Sequence, residues 1–297
     1  MTDPATTAPT PAAKPRRRGP NRMIIVWGRP NAGKTTFCMS LAKDDRWRWV
    51  AHVDGDDSAA SVPDMFADPA VARHFPVDLD AAAMRKAILA LIPAVASGEC
   101  GAAIIEGLCP LYDFYVGESF GDNPKEADAG GMHAMKLYAA PAAKVRAVHS
   151  AITRLFQAAP KDSGFVCVVT MHAKNAAAVT EAPKWRPDVS NGVWEEFWRM
   201  TPIVVELTRF GAGAPIIEWA DPTNEIRRMK NSVAAAKLVE HRSAGKPLAT
   251  LPAFIDTING AEAYQVRAAR AREAAKTAAA APPPITPEVA ADFPLAA

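Results

Sequence analysis

The stretch Met23-Ile-Ile-Val-Trp27-Gly28-Arg29-Pro30-Asn31-Ala32-Gly33-Lys34-Thr35-Thr36 decides how this chain is read. An apolar run of strand length ends in the pattern G-x-x-x-x-G-K-T, and Phe37 to Lys43 continues with helical spacing. A phosphate-binding loop (P-loop) needs that context, a strand before it and a helix after it. Gly28 and Gly33 let the backbone curl, so that consecutive N–H groups and the start of the helix point at phosphate oxygens. In this pattern Lys34 meets the β- and γ-phosphates and the Thr35 hydroxyl ligates Mg²⁺. The competing reading is a glycine-rich turn that binds nothing.

Composition sets the frame around this stretch. The 297 residues are 49% hydrophobic and 22% charged, which suits one α/β domain with flanking tails. The net charge is only +2, so any nucleic-acid surface has to be local. Cys38, Cys100, Cys109 and Cys167 lie far apart without a C-x-x-C pair, and read as buried, reduced thiols rather than a zinc site or a disulfide framework. No apolar stretch reaches the roughly 18 residues that a membrane helix needs, and the N-terminus has no apolar signal core. A soluble cytoplasmic protein with no membrane partner is expected.

Taken in order, residues 1–21 are Ala, Pro and Thr followed by Lys14-Pro-Arg-Arg-Arg18, and read as a disordered basic tail. The cluster either touches nucleic acid or is solvated. Residues 22–243 form the expected domain. A second strand runs over 47–53 into Asp54-Gly-Asp56-Asp57-Ser58, and short pieces without a clear element follow through Asp80. Met84, Ile88, Leu91 and Ile92 give a helix over 81–96, and Cys100 to Glu106 a short buried strand. The breakers in 112–131 suggest a long surface excursion. A helix covers 136–159, with Pro141 marking its true start.

Phe165 to Met171 is another apolar strand, followed by His172. Residues 176–192 read as mobile, 194–200 as a short helix, and 203–208 with 215–219 as a terminal β-hairpin. Residues 244–297 read as an Ala/Pro-rich extension with one helix over 261–280, where Arg267, Arg270, Arg272 and Lys276 make a basic face. Alternation of strands and helices predicts an α/β fold, a mostly parallel sheet covered by helices on both faces.

A P-loop needs acids to hold Mg²⁺ and to polarise the attacking water. Glu106 ends an apolar strand at its C-terminal end, where the ligands of such sheets collect. It acts on Mg²⁺, directly or through a water, or is a capped strand end. Asp54, Asp56 and Asp57 end the preceding strand, and three acids this close need a cation or base nearby unless they form an exposed turn. His172, with Thr170 two residues before it, is either a γ-phosphate sensor or a hydrogen-bonded surface residue. Arg227, Arg228 and Lys230 either neutralise phosphate charge, in cis or from a neighbouring subunit, or are solvated.

The layout Gly28–Thr35, Val53-Asp-Gly-Asp-Asp57, Ala103-Ile-Ile-Glu106 and Val168-Val-Thr-Met-His172, with basic residues after a terminal hairpin, resembles RecA-like phage ATPases. Within that group it is similar to the phage ATP-binding proteins that include RecA-core single-strand annealing proteins. The resemblance covers about residues 22–232. It implies a P-loop NTPase binding ATP through Gly28 to Thr36, with Mg²⁺ on Thr35 and Glu106, and a catalytic set of Lys34, Asp56, Glu106 and His172. Asp56 falls where the water-activating acid of the family sits, although Glu is usual there, and Asp is commoner than Glu at position 106. The resemblance further implies ATP hydrolysis, assembly into a homo-oligomer and single-stranded DNA as partner, in recombination, annealing or replication. A small-molecule nucleotide kinase and a nucleotide-bound scaffold without turnover remain as alternatives. No Asn/Thr-Lys-x-Asp motif for guanine is present.

Overall fold

The computed structural model describes residues 19–47, 49–121, 132–175, 185–189, 191–201, 203–208, 216–218 and 250–260. Strand β1 (Arg22–Gly28) leads through the glycine-rich loop into helix α1 (Lys34–Met39), which tightens to a 3₁₀ turn over Ser40–Lys43. Then come β2 (Val50–Asp54), β3 (Ala72–Pro76), α2 (Ala81–Ala90), α3 (Ile92–Ala96), β4 (Ala102–Glu106), α4 (Leu108–Phe120), α5 (Met132–Ala158) and β5 (Val166–Asn175). The described chain continues with β6 (Trp185–Pro187), α6 (Asn191–Met200), β7 (Ile203–Thr208), β8 (Ile216–Glu218) and a helix α7 over 251–260.

Six strands form an all-parallel sheet in the order β3-β2-β4-β5-β1-β7, with β8 antiparallel on β7 and β6 antiparallel on the end of β5. Three of the inner strands, β4, β5 and β1, are the continuous apolar runs of the sequence, as expected for strands covered on both faces. The hairpin expected from 203–208 and 215–219 is the β7–β8 pair.

Side-chain alternation splits the core into two layers. Ile25, Trp27, Ala51, Val53, Ala103, Ile105, Cys167 and Val169 face α2 to α5, whereas Ile24, Val26, Val50, Ala102, Ile104, Val166 and Val168 face α1 and α7. All four cysteines are buried free thiols, and burial pushes those of Cys100, Cys109 and Cys167 up to about 12. Among the described residues no helix is long and apolar enough to cross a membrane.

Several elements depart from the sequence reading. The stretch from Tyr112 to Phe120 is not a surface excursion but most of helix α4, whose Tyr112, Tyr115 and Phe120 are buried. Gly117, which reads as a breaker, lies on the open side of that helix, where a Cβ would meet nothing. Helix α5 runs straight through Pro141. The proline removes one backbone hydrogen bond, and the buried stripe Ala142, Val145, Val148, Ile152 and Leu155 holds the helix together across it. The single helix expected over 81–96 is broken after Ala90, because Pro93 has no N–H to continue the ladder.

Strand β3 is a further element, which among the described residues stands at the edge of the sheet and pairs with β2 alone. Residues 251–260, assigned above to the C-terminal extension, bury Leu251, Phe254, Ile255 and Ile258 against α1 and the sheet. Ser40 Oγ accepts from Leu251 N at 2.9 Å, and Arg22 donates to Asn259 Oδ1 at 2.8 Å. The tail 1–18, the rest of the segment expected to be mobile at 176–184, Arg227, Arg228, Lys230 and the helix expected over 261–280 lie outside the described residues.

Candidate functional site

The site forms where the α1-facing layer turns polar. On β2, β4 and β5 the residues of that face run Val50-His52-Asp54, Ala102-Ile104-Glu106 and Val166-Val168-Thr170, apolar at the N-terminal end and polar at the C-terminal end. The loop after β1 closes over the same end. Gly28 has to be glycine, since a Cβ there would lie 2.4 Å from the Leu207 carbonyl oxygen of β7. Asn31 at φ 63° and Gly33 at φ 82° turn the loop back through the left-handed region into α1, leaving a concave row of backbone amides.

Lys34 is buried and its Nζ donates to the carbonyl oxygens of Gly28 at 3.2 Å and Arg29 at 3.0 Å. Burial lowers its pKa, and Glu106, Cys109 and Asp56 pull it back only in part. Thr35 Oγ1 donates to Glu106 across the gap between α1 and β4, at 3.1 Å to Oε2 and 3.3 Å to Oε1. Two more donors meet Glu106 Oε2, His52 Nε2 at 3.0 Å and the Ser58 hydroxyl. Burial alone would push the Glu106 carboxyl up; the hydrogen bond and attraction of His52 with the bonds from Ser58 and Thr35 outweigh it, and the group titrates below the usual glutamate range. Glu106 is therefore an ionised carboxylate in a buried position.

The three acids after β2 separate into three roles. Asp54 is buried and organises its own loop: Oδ1 accepts from the N–H groups of Asp56 and Ser58, and Oδ2 from Ala59 N at 2.9 Å and His74 Nε2 at 3.1 Å. Burial opposes its charge, yet the Ala59 bond, His52 and the remaining donors hold its carboxyl far below the ordinary range. Asp56 points to the cavity, with Oδ2 at 3.5 Å from His172 Nε2 and Oδ1 buried without a partner among the described residues. Asp57, in the left-handed region at φ 57°, is exposed. A glycine-to-glycine contact seats this loop beside β4: Gly55 N donates to Glu106 O at 3.3 Å, and a Cβ on Gly107 would come within 2.8 Å of Gly55.

A cavity of about 380 Å³ joins these parts, lined by Pro30, Asn31, Gly33, Lys34, Thr35 and Thr36 with Asp56, Ser58, Ser61, Glu106, Thr170 and His172. The structure thus brings Lys34, Thr35, Asp56, Glu106 and His172 around one space, while Gly28, Arg29 and Ala32 shape the loop from behind. Oxygens of Asp54, Asp56 and Glu106 lie within 4.8 Å of one another. With the Thr35 hydroxyl they make a hard, all-oxygen donor set that suits a cation such as Mg²⁺. Sequence reasoning did not find His52, Ser58 or Ser61. A usable signal existed for His52, a polar residue inside an otherwise apolar strand. No protein-family model matches the chain, and no curated protein matches it.

Proposed function

We propose that this chain is an ATP-binding, Mg²⁺-dependent P-loop ATPase of RecA-like type, acting on DNA in phage recombination, single-strand annealing or replication. The observation that carries the nucleotide reading is the Thr35–Glu106 contact at 3.1 Å, which couples the lysine-bearing loop to an ionised acid on a strand two positions away in the sheet. A glycine-rich turn without a ligand has no need of a buried carboxylate held there against its desolvation cost.

Each residue then has a task. Lys34, already turned toward the loop mouth by two carbonyls, presents its ammonium to the phosphates, and the amides after Arg29 cradle them. Thr35 and Glu106 hold Mg²⁺, which when bound offsets charge on the β- and γ-phosphate oxygens. Asp56, which lines the cavity, orients a water and takes its proton on the carboxylate. His172, which lines the same cavity 3.5 Å from Asp56, meets the terminal phosphate and at the same time releases or holds Asp56.

The DNA part of the proposal rests on the sequence resemblance and on the cations at Lys14–Arg18 and Arg267–Lys276. Its test is the ATPase rate of the full chain with and without single-stranded DNA. The proposal expects stimulation by DNA that weakens as salt rises, because phosphate contacts release counterions. A rate indifferent to DNA favours a kinase or a scaffold.

A further inference from the structure

A glutamate at position 106 has one more torsion than the aspartate commoner there, so its carboxylate needs holding if it is to meet Thr35 in one place. His52 supplies that hold. It stands on β2, next to β4 in the sheet and on the same face, opposite Ile104 and two residues before the level of Glu106. From there its Nε2 reaches sideways to Glu106 Oε2 at 3.0 Å. The imidazole is fully buried in a cluster of three rings, with Phe66 at 5.4 Å and His74 at 5.6 Å between centroids and these two 5.3 Å from each other. Its Nδ1 has no partner among the described residues. A leucine or phenylalanine would fill this space without an orphaned nitrogen, so the imidazole is not there for packing.

The division of the carboxylate is the second observation. Oε2 accepts from His52, Ser58 and Thr35, whereas Oε1 accepts from Thr35 alone among the described residues, at 3.3 Å. Oε2 is tied down by three donors, whereas Oε1 is held by the Thr35 hydroxyl alone among the described residues, in a side chain that lines the cavity.

We propose that His52 is a positioning residue that pins Glu106 through Oε2, so that Oε1 and the Thr35 hydroxyl form a prepared site for the divalent cation that accompanies the nucleotide. The inference rests on the nucleotide-binding function proposed above. It requires reach as well as polarity: a glutamine amide nitrogen extends about as far as Nε2, while an asparagine amide stops near the position of Nδ1.

The experiment measures binding of a non-hydrolysable ATP analogue to the full chain by calorimetry, with Mg²⁺ and with EDTA, for the wild type, His52→Gln and His52→Asn. The expected result is a Mg²⁺-dependent gain in affinity in the wild type and in His52→Gln. In His52→Asn that gain falls by about tenfold or more, the range typical for partners that orient a metal ligand, while metal-free affinity and melting temperature match those of His52→Gln. A full Mg²⁺ gain in His52→Asn overturns the proposal. An equal loss in both variants does so too, since it marks a merely structural role. If the wild type binds the analogue but gains nothing from Mg²⁺, the positioning role falls and nucleotide binding stands. If the wild type binds no analogue at all, both fall.

Discussion

Replacing Glu106 by Gln tests whether the carboxylate is held as an anion in the unliganded fold. Glu106 is almost wholly buried and accepts from Thr35, His52 and Ser58. A glutamine carbonyl placed at Oε2 keeps the three donors but loses their charge assistance. Hydrogen bonds to a charged group contribute about 1.5–3 kcal/mol and neutral ones about 0.5–1.5, a difference of about 1–1.5 per bond, so three weakened bonds amount to about 3–4.5 kcal/mol. The glutamine is spared the desolvation of a buried anion, which offsets part of this. Because the Glu106 pKa is lowered on folding, the charged form wins that contest, and the variant is expected to be less stable by about 1–3 kcal/mol at pH 7. The pH dependence has a definite sign. A carboxyl depressed below its unfolded value of 4.5 contributes stability above that pH and loses it as the pH falls through the folded value. Urea unfolding of both proteins should therefore show a constant gap from pH 7 to about 5 that narrows below 4.5. Equal stability at pH 7, or a more stable variant, refutes the reasoning.

Two further perturbations separate chemistry from fold. Asp56→Asn should abolish ATP turnover and leave ATP binding largely intact, since a water-activating carboxylate is not needed to hold the nucleotide; hydrolysis at the parent rate contradicts the assignment. Phe254→Ala removes a fully buried ring from the layer beneath α1 and should cost about 3–5 kcal/mol in urea unfolding, whereas a loss below about 1 kcal/mol would show that α7 is not part of the core.

The sequence carries the inner strands and the loop well because burial on both faces leaves a local mark. Met23–Trp27 and Phe165–Val169 are apolar throughout, and Gly28, Gly33, Lys34 and Thr35 lie close together in the chain. Strand β3 leaves no such mark: Ala72-Arg-His-Phe-Pro76 pairs with β2 alone among the described residues, and only Ala72 of the five is buried. Helix α4 hides behind Gly117, and the start of α5, otherwise legible, hides behind Pro141, local breakers that tertiary packing overrides. The same limit applies to the site. Glu106 ends β4, Asp56 follows the end of β2, and His172 follows the apolar part of β5, so each can be nominated alone. The His52–Glu106 contact spans 54 residues and exists because β2 and β4 are neighbours in the sheet, a relation that local pattern does not encode.

The central claim, that the loop from Gly28 to Thr36 with Glu106 binds a nucleoside triphosphate, is tested most directly by calorimetric titration of ATP with Mg²⁺ into the wild type and into Lys34→Ala. Nζ of Lys34 stands 3.0 and 3.2 Å from two loop carbonyls at the cavity, and its charge-assisted phosphate contacts are each worth about 1.5–3 kcal/mol. The account predicts saturable binding by the wild type and at least about tenfold weaker binding by the variant, with the same melting behaviour in both. No binding by the wild type, or equal binding by the two, would contradict it.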